Sequence, residues 1–154
     1  MERAFTINKP ADELYRFWHQ FENLASFMKH VKEVRRIDDT RSHWVVSGPG
    51  NIDVEWDAEI INDAPNELIA WRSVEGAQVD NSGSVRFIPV GDRGTEVRVV
   101  IDYIPPGGVF GKWFASIFSE APEQTIREDL RRFKQLMETG TIPTTEGQPR
   151  GTCV

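Results

Sequence analysis

Cysteine is all but missing: the one thiol among 154 residues is Cys153, next to the last position. A single thiol forms no intrachain disulfide and no cysteine-based metal cluster, and a prenylation box would need it four residues from the end. Histidine is scarce as well. His19, His30 and His43 stand apart with no HxH or HExxH spacing, so no metal-binding motif is present. Positive charge is outnumbered, 18 Lys and Arg against 24 Asp and Glu, for a formal charge of −6. No global positive field exists to draw in phosphate backbones or anionic lipid, which argues against a nucleic-acid partner. No stretch approaches the roughly 18 consecutive apolar residues of a membrane span, and MERAFTINKPADELYRFWHQ lacks the apolar core of a secretory signal. A cytoplasmic protein is expected. The Gly107-Gly108-Val109-Phe110-Gly111 cluster has no following Lys-Ser/Thr, and no serine stands in GxSxG. Neither a phosphate-binding loop nor a nucleophile elbow is present, and no cofactor is expected.

Aromatic residues are abundant by contrast: five Trp, nine Phe and two Tyr, in a chain that is 39% hydrophobic and 27% charged. Such a composition buries a core, and the length suits one domain, set at residues 1–139 with a polar, flexible tail over 140–154. ERAFTIN alternates in polarity as a short strand. Pro10 opens a helical stretch with Asp12 and Glu13 in its first turn and Leu14, Phe17, Trp18 and Phe21 at helical spacing. The Asn23 region is expected to break it into two short helices. From Val31 the period changes to two: VKEVRRID, RSHWVVSG, NIDVEWDAEIIND, ELIAWRSVE, SGSVRFIPVG and GTEVRVVIDYIP alternate between turn signals. Short links favour antiparallel hairpins, giving a six-strand meander and seven strands with the first.

After a Pro/Gly loop, a helical pattern carrying Trp113, Phe114, Ile117 and Phe118 runs to about Thr139, with a kink or restart at Pro122 and a stop at Gly140. Ile126, Leu130, Phe133 and Met137 form its apolar stripe, while Glu128, Asp129, Arg131, Arg132 and Lys134 are assigned mostly to the solvated side. The fold class is α+β: a curved antiparallel sheet packed on a long carboxy-terminal helix, with space for a pocket between them.

Period two assigns the faces. Asp53, Glu55, Asp57 and Glu59 share one side of their strand, with Arg72, Arg86 and Arg98 as expected neighbours, and Ile52, Val54, Trp56, Ala58 and Ile60 share the other. A turn at NDAPN pairs Ile60 with Ile69, Ala58 with Trp71 and Asp57 with Arg72. The inner face then gathers Trp44, Trp56, Trp71, Phe87, Val99, Ile101 and Tyr103, facing Trp113, Phe114 and Phe133 from the helix. These ten are the candidate ligand-binding residues, since pockets tend to be apolar with few polar groups. The four acids read as a solvated face and not as an acid–base pair. The GPGN turn, the GAQVDNSG connection and PPGGVFG are expected to gate the site.

FENLASFMKHVKEV, HWVVSGPG, EWDAEI, IAWRS, YIPPGG and the closing DLRRFKQLME resemble the polyketide cyclase/dehydrase branch of the START-like (Bet v 1-like, SRPBCC) superfamily, and within it bacterial cyclase-like proteins. The resemblance spans about residues 2–139. It implies a helix-grip fold, a curved seven-stranded antiparallel sheet wrapped on a long carboxy-terminal helix around a cavity for lipids, sterols or polyketides. It transfers no catalytic motif. The leading expectation is binding or transport of an apolar small molecule. A cyclase or dehydratase is the alternative, which would turn His43, Tyr103 or Asp102 into the pocket. A protein-interaction module with an exposed apolar patch is a third reading.

Overall fold

In the computed structural model, residues 2–47, 53–77, 80–104 and 122–140 are described, with side chains for all of these except 103, 104 and 122–126. The alternating segments form strands β1 (Glu2–Ile7), β2 (Val31–Arg36), β3 (Arg41–Ser47), β4 (Asp53–Ala64), β5 (Leu68–Ser73), β6 (Asp80–Pro89) and β7 (Thr95–Ile104). They make one curved, wholly antiparallel sheet in the order β1-β7-β6-β5-β4-β3-β2, the α+β helix-grip arrangement. Consecutive strands from β2 to β7 are neighbours, as short hairpin links require, and β1 closes beside β7. No described helix is long and apolar enough to cross a membrane.

Helix α1 (Ala11–His19) follows Pro10, which occupies the N-cap position with an extended backbone. The break after it falls at Gln20, three residues before the expected Asn23, and the second piece is a 3-10 helix, Phe21–Ser26. Asn23 lies inside that piece because its side-chain amide donates to the Phe17 carbonyl at 3.0 Å, satisfying an orphan acceptor at the end of α1. Helix α2 runs from Pro122 to Thr139, with Pro122 in its first turn, where a missing N–H is harmless. It ends at Gly140, whose N–H still reaches the Leu136 carbonyl at 2.8 Å while its φ of +79° leaves the helical region. Trp113, Phe114, Ile117 and Phe118, the tail over 141–154, and most of the expected gating loops lie outside the described residues.

The β4–β5 register corrects the sequence expectation. The turn is the three-residue Pro65-Asn66-Glu67, with Asn66 at φ +67°, tighter than the NDAPN segment suggests. It pairs Ala64 with Leu68 and Asp63 with Ile69, and a bulge between Ile60 and Asn62 then sets Ile60 opposite Trp71 and Glu59 opposite Arg72. The extra residue is Ile61. Arg72 therefore meets Glu59 at 3.1 Å, not Asp57.

The four acids of β4 do share the convex face, against basic partners other than Arg86 and Arg98. Lys32 pairs with Asp53 at 3.1 Å, and His43 bridges Asp57 (Nδ1, 2.7 Å) and Glu55 (Nε2, 2.8 Å). Arg98 is engaged by Glu96 and Glu2, and Arg86 stands opposite Arg98 in the register. The hydrogen bonds to Asp57 and Glu55 hold His43 above its ordinary pKa of 6.5.

On the concave side Phe133 of α2 meets Phe27 at 4.9 Å, Trp18 at 5.2 Å and Phe17 at 5.8 Å between ring centroids. These rings join α2 to α1 and to the segment leading into β2. Beside them Asp129 is buried, 5% exposed, which corrects its assignment to the solvated side. It falls three residues after Ile126 and four before Phe133, on the apolar stripe. Its Oδ1 accepts the Lys29 amide at 3.1 Å and a bond from Arg132, whose Nε donates to the Phe27 carbonyl at 2.9 Å. At the other end Glu138 Oε2 accepts the Asn8 amide at 2.8 Å, just past β1. Helix α2 is thus tied to the exit of β1 and the entrance of β2, the two edges of the sheet.

Two pH effects follow. Burial raises the Asp129 pKa from 3.8 to about 6 despite Lys29 and Arg132. The folded chain thus holds this proton more tightly than the unfolded one, and the group's contribution is full below about pH 4 and lost as pH rises through about 6. Asp129→Asn, which keeps an acceptor without the titration, should flatten the stability curve over that window by up to about 3 kcal/mol in urea unfolding. Asp129→Leu should cost about 1–3 kcal/mol at every pH, since the Lys29 and Arg132 donors lose their acceptor. His43 contributes below about pH 6.5 and loses that contribution as pH climbs through its raised value. His43→Gln should remove the slope and change stability by no more than about 1 kcal/mol.

Candidate ligand-binding site

Alternation places Trp44, Trp56, Trp71, Phe87, Val99 and Ile101 on the concave face, but they do not play one role. Trp44 and Trp56 are directly opposed in the β3–β4 register, and their rings stack with centroids 6.2 Å apart and planes 7° apart. Trp44 is the inner member, closed over by Phe21 at 6.0 Å, with its Nε1 donating to Ser42 Oγ at 2.9 Å. Trp56 is half-buried. Trp71 lies between Ile60 and Gly83 in the register, with Phe21 edge-on at 6.1 Å. Ile101, opposite Gly83, is half-buried.

Phe87, Val99 and Phe133 sit deeper, in the close-packed layer, at 2%, 1% and 0% exposure. Phe87 takes the edge of Tyr15 at 6.0 Å, and Val99 stands between Val85 and Arg3 in the register. Their contribution is packing under the site. Tyr103 falls opposite Asn81, on the concave side of the register, with its ring outside the description. Trp113 and Phe114 lie outside the described residues.

Several groups escaped the sequence reading. Ser73, Asn81 and Gly83 share the concave parity with Trp71, and Ser73 Oγ accepts the Asn81 amide at 3.1 Å. Arg3 falls opposite Val99 on the concave side. Its signal was present in ERAFTIN, where Arg3 shares the parity of Phe5 and Ile7. The bulge at Ile61 had no such signal, and it creates a polar cluster at the rim. There Tyr15 donates to Asp63 Oδ1, and His19 Nε2 lies 2.8 Å from Asp63 Oδ2. Burial and the Asp63 carboxylate hold the Tyr15 phenol well above its ordinary pKa, so it remains a donor. Arg36 donates to the His19 carbonyl at 2.6 Å. The cluster binds the end of α1 to the end of β4.

The half-buried wall residues Trp56, Ser73, Asn81 and Ile101 gather away from that rim, with Trp44 and Trp71 beneath them. This portion of the concave face is apolar and aromatic, with a hydroxyl and an amide at one edge. His43, which a cyclase would want inside, points to the convex face, and Asp102 is exposed opposite Ser82. Among the described residues no three His, Cys, Asp or Glu side chains gather as a metal site. An open groove of about 430 Å³ runs along β1 past Arg3, Arg98 and Arg127, and another of about 450 Å³ passes Phe5, Arg131 and Lys134. Their charged linings set them apart from the aromatic wall.

With this geometry in place, the chain finds clear relatives. A 17.2 kDa uncharacterised protein of Streptomyces lincolnensis is 33% identical over 138 residues, 90% of this chain and 89% of that protein. The crystal structure of DR_A0006 from Deinococcus radiodurans matches with a TM-score of 0.74 at 40% identity, covering 91% of this chain and 98% of that one. The ZhuI aromatase/cyclase of a Streptomyces species matches at a TM-score of 0.68 over 91% and 96% of the two chains; at 15% identity this is a likeness of fold. The family model described as "Polyketide cyclase / dehydrase and lipid transport" matches residues 7–131. A match over most of the length, on a seven-stranded sheet gripping α2, makes this chain a member of the polyketide cyclase / dehydrase and lipid transport family.

Proposed function

We propose that the chain binds an apolar, polyketide-like or lipid-like small molecule between the concave face of the sheet and the carboxy-terminal helical region, acting in the cytoplasm as a carrier or sensor. The observation that carries this reading is the Trp44–Trp56 stack, a buried indole supporting a half-buried one on a wall continued by Trp71 and Ile101. Tyr103, Trp113 and Phe114 complete the lining in this reading, and neither metal nor organic cofactor takes part.

Two features favour a carrier over the alternatives. A cyclase of this architecture would hold a reactive chain in a bent shape and assist with a protonatable group, yet the His43 ring is engaged by two carboxylates on the convex face. An interaction module would present a contiguous apolar patch. Among the described residues the large apolar side chains in the open are Ile37 and Ile61, about half exposed at 50% and 52%, too little for such a surface.

Burial of apolar area is worth roughly 25 cal/mol per Å², so a ligand losing about 300 Å² gains about 7 kcal/mol before association costs, consistent with micromolar or weaker affinity. Titration with fatty acids, sterols and hydroxylated polycyclic aromatics should quench or shift tryptophan emission. Affinity should barely change between roughly 0.05 and 0.5 M salt and should fall about tenfold in Trp56→Ala. Unchanged emission and melting temperature across the panel, with no small molecule recovered by solvent extraction and mass spectrometry of the purified protein, would overturn the reading.

A further inference from the structure

We propose that Trp71 and Gly83 act as a pair that sets the depth of the concave site, and through it the size of the ring system the site admits. The inference rests on the ligand-binding reading above and assigns that site a specificity device.

Gly83 on β6 stands opposite Trp71 on β5 and Ile101 on β7. A Cβ built on Gly83 would lie 2.6 Å from Cζ2 and 2.9 Å from Cε2 of Trp71. Carbon atoms meet comfortably only at about 3.5–4.0 Å. The six-membered ring of the indole therefore lies directly over the Gly83 main chain. Side chains on a strand usually stand roughly perpendicular to the sheet, whereas this one is laid across the neighbouring strand.

The backbone does not demand glycine here: Gly76, Gly91, Gly94 and Gly140 have positive φ, and Gly83 does not. What position 83 supplies is room. The same built Cβ also lies 3.1 Å from the Val100 carbonyl, a milder crowding than the 2.6 Å approach to the indole, so the indole is the larger obstacle.

The consequence falls on the site. With the indole lying down, the floor between Ile60 and Ile101 is low; Phe21 stands edge-on to the ring at 6.1 Å, and in the ligand-binding reading the rest of the space above it, beside the half-buried Trp56, is where the ligand lies. A methyl group at 83 must lift the ring by about 1 Å or more to reach normal contact, into that space. Removing the ring has the opposite effect and deepens the floor. Small volume changes in an apolar pocket discriminate between ligands by about 10- to 200-fold, which makes this pair a lever on size and leaves chemistry to other groups.

The test uses 2-naphthol and 2-anthrol as two- and three-ring probes, with dissociation constants from equilibrium dialysis, so that loss of a tryptophan does not affect the readout. Gly83→Ala should weaken 2-anthrol about tenfold more than 2-naphthol. Trp71→Leu should shift the ratio toward 2-anthrol, and the double variant should follow Trp71→Leu. Thermal melting without any probe gives an independent readout: Gly83→Ala should lower the melting temperature markedly beside Trp71 and far less beside Leu at 71. Should Gly83→Ala alone fail to fold, a folded double variant shows the same coupling. Unaltered probe ratios in every folded variant, or equal melting penalties in both backgrounds, would overturn the inference while leaving probe binding by the unmodified chain intact. Binding of neither probe to the unmodified chain would overturn the inference together with the aromatic part of the ligand reading.

Discussion

A curved sheet with two free edges keeps a usable concave face only if something spans it, and here helix α2 does so. Phe133 packs among Trp18, Phe27 and Phe17, which fixes α2 against α1 and the segment entering β2. Arg132 and the buried Asp129 bond to the Phe27 carbonyl and the Lys29 amide, and Glu138 holds the Asn8 amide beyond β1. Apolar contact supplies the bulk of this attachment and is indifferent to direction. The charge-assisted bonds add geometric specificity by fixing where along the helix each sheet edge is caught. The arrangement carries a cost, because a carboxylate out of water is disfavoured even beside a guanidinium.

That attachment divides the concave face. Near the Phe133 cluster and the rim where Tyr15 and His19 meet Asp63, the wall is solid: Ile7, Val85, Phe87, Val97 and Val99 are fully covered. Away from it Trp56, Ser73, Asn81 and Ile101 are half-buried. The same alternating apolar pattern thus builds fully covered core at one end and a half-buried wall at the other. The difference lies in what is laid over each part. The proposed small molecule would lie against this less covered part, where the indoles of Trp44, Trp56 and Trp71 give broad, rigid surfaces with little rotamer freedom to lose.

The convex face is where titratable groups might have suggested chemistry and instead carry structure. Asp53, Glu55, Asp57 and Glu59 stand in a row on β4, and each has a basic partner, His43 on β3 and Arg72 on β5 from the adjacent strands and Lys32 from β2, one strand further. Exposed pairs of this kind contribute little individually, but opposite charges across a ladder favour one register over its alternatives. His43 is part of that register, which removes it from the pocket.

Period-two alternation from Val31 to Tyr103 was enough to determine the six-strand antiparallel meander and the face of its side chains up to the bulge in β4, because in a strand the direction of a side chain is a purely local property; ERAFTIN marked the first strand, and its place beside β7 came only with the fold. The helical stripe in α2 and its stop at Gly140 were legible from local spacing and a terminating glycine, and the quoted segments carried the family. What lay beyond the sequence depends on contacts distant along the chain. The bulge at Ile61 changed the partner of Arg72 from Asp57 to Glu59 and brought Asp63 to Tyr15 and His19, since a tighter turn than NDAPN suggested forced the extra residue. Asp129 carried the right spacing for burial, but only Lys29 and Arg132, a hundred residues away and one turn away, made burial of its charge tolerable. Which aromatic side chains would be core and which would be wall was likewise undecided by pattern. Trp56 and Phe87 have the same parity and similar character, and only the elements packed over them separate a covered ring from a half-buried one.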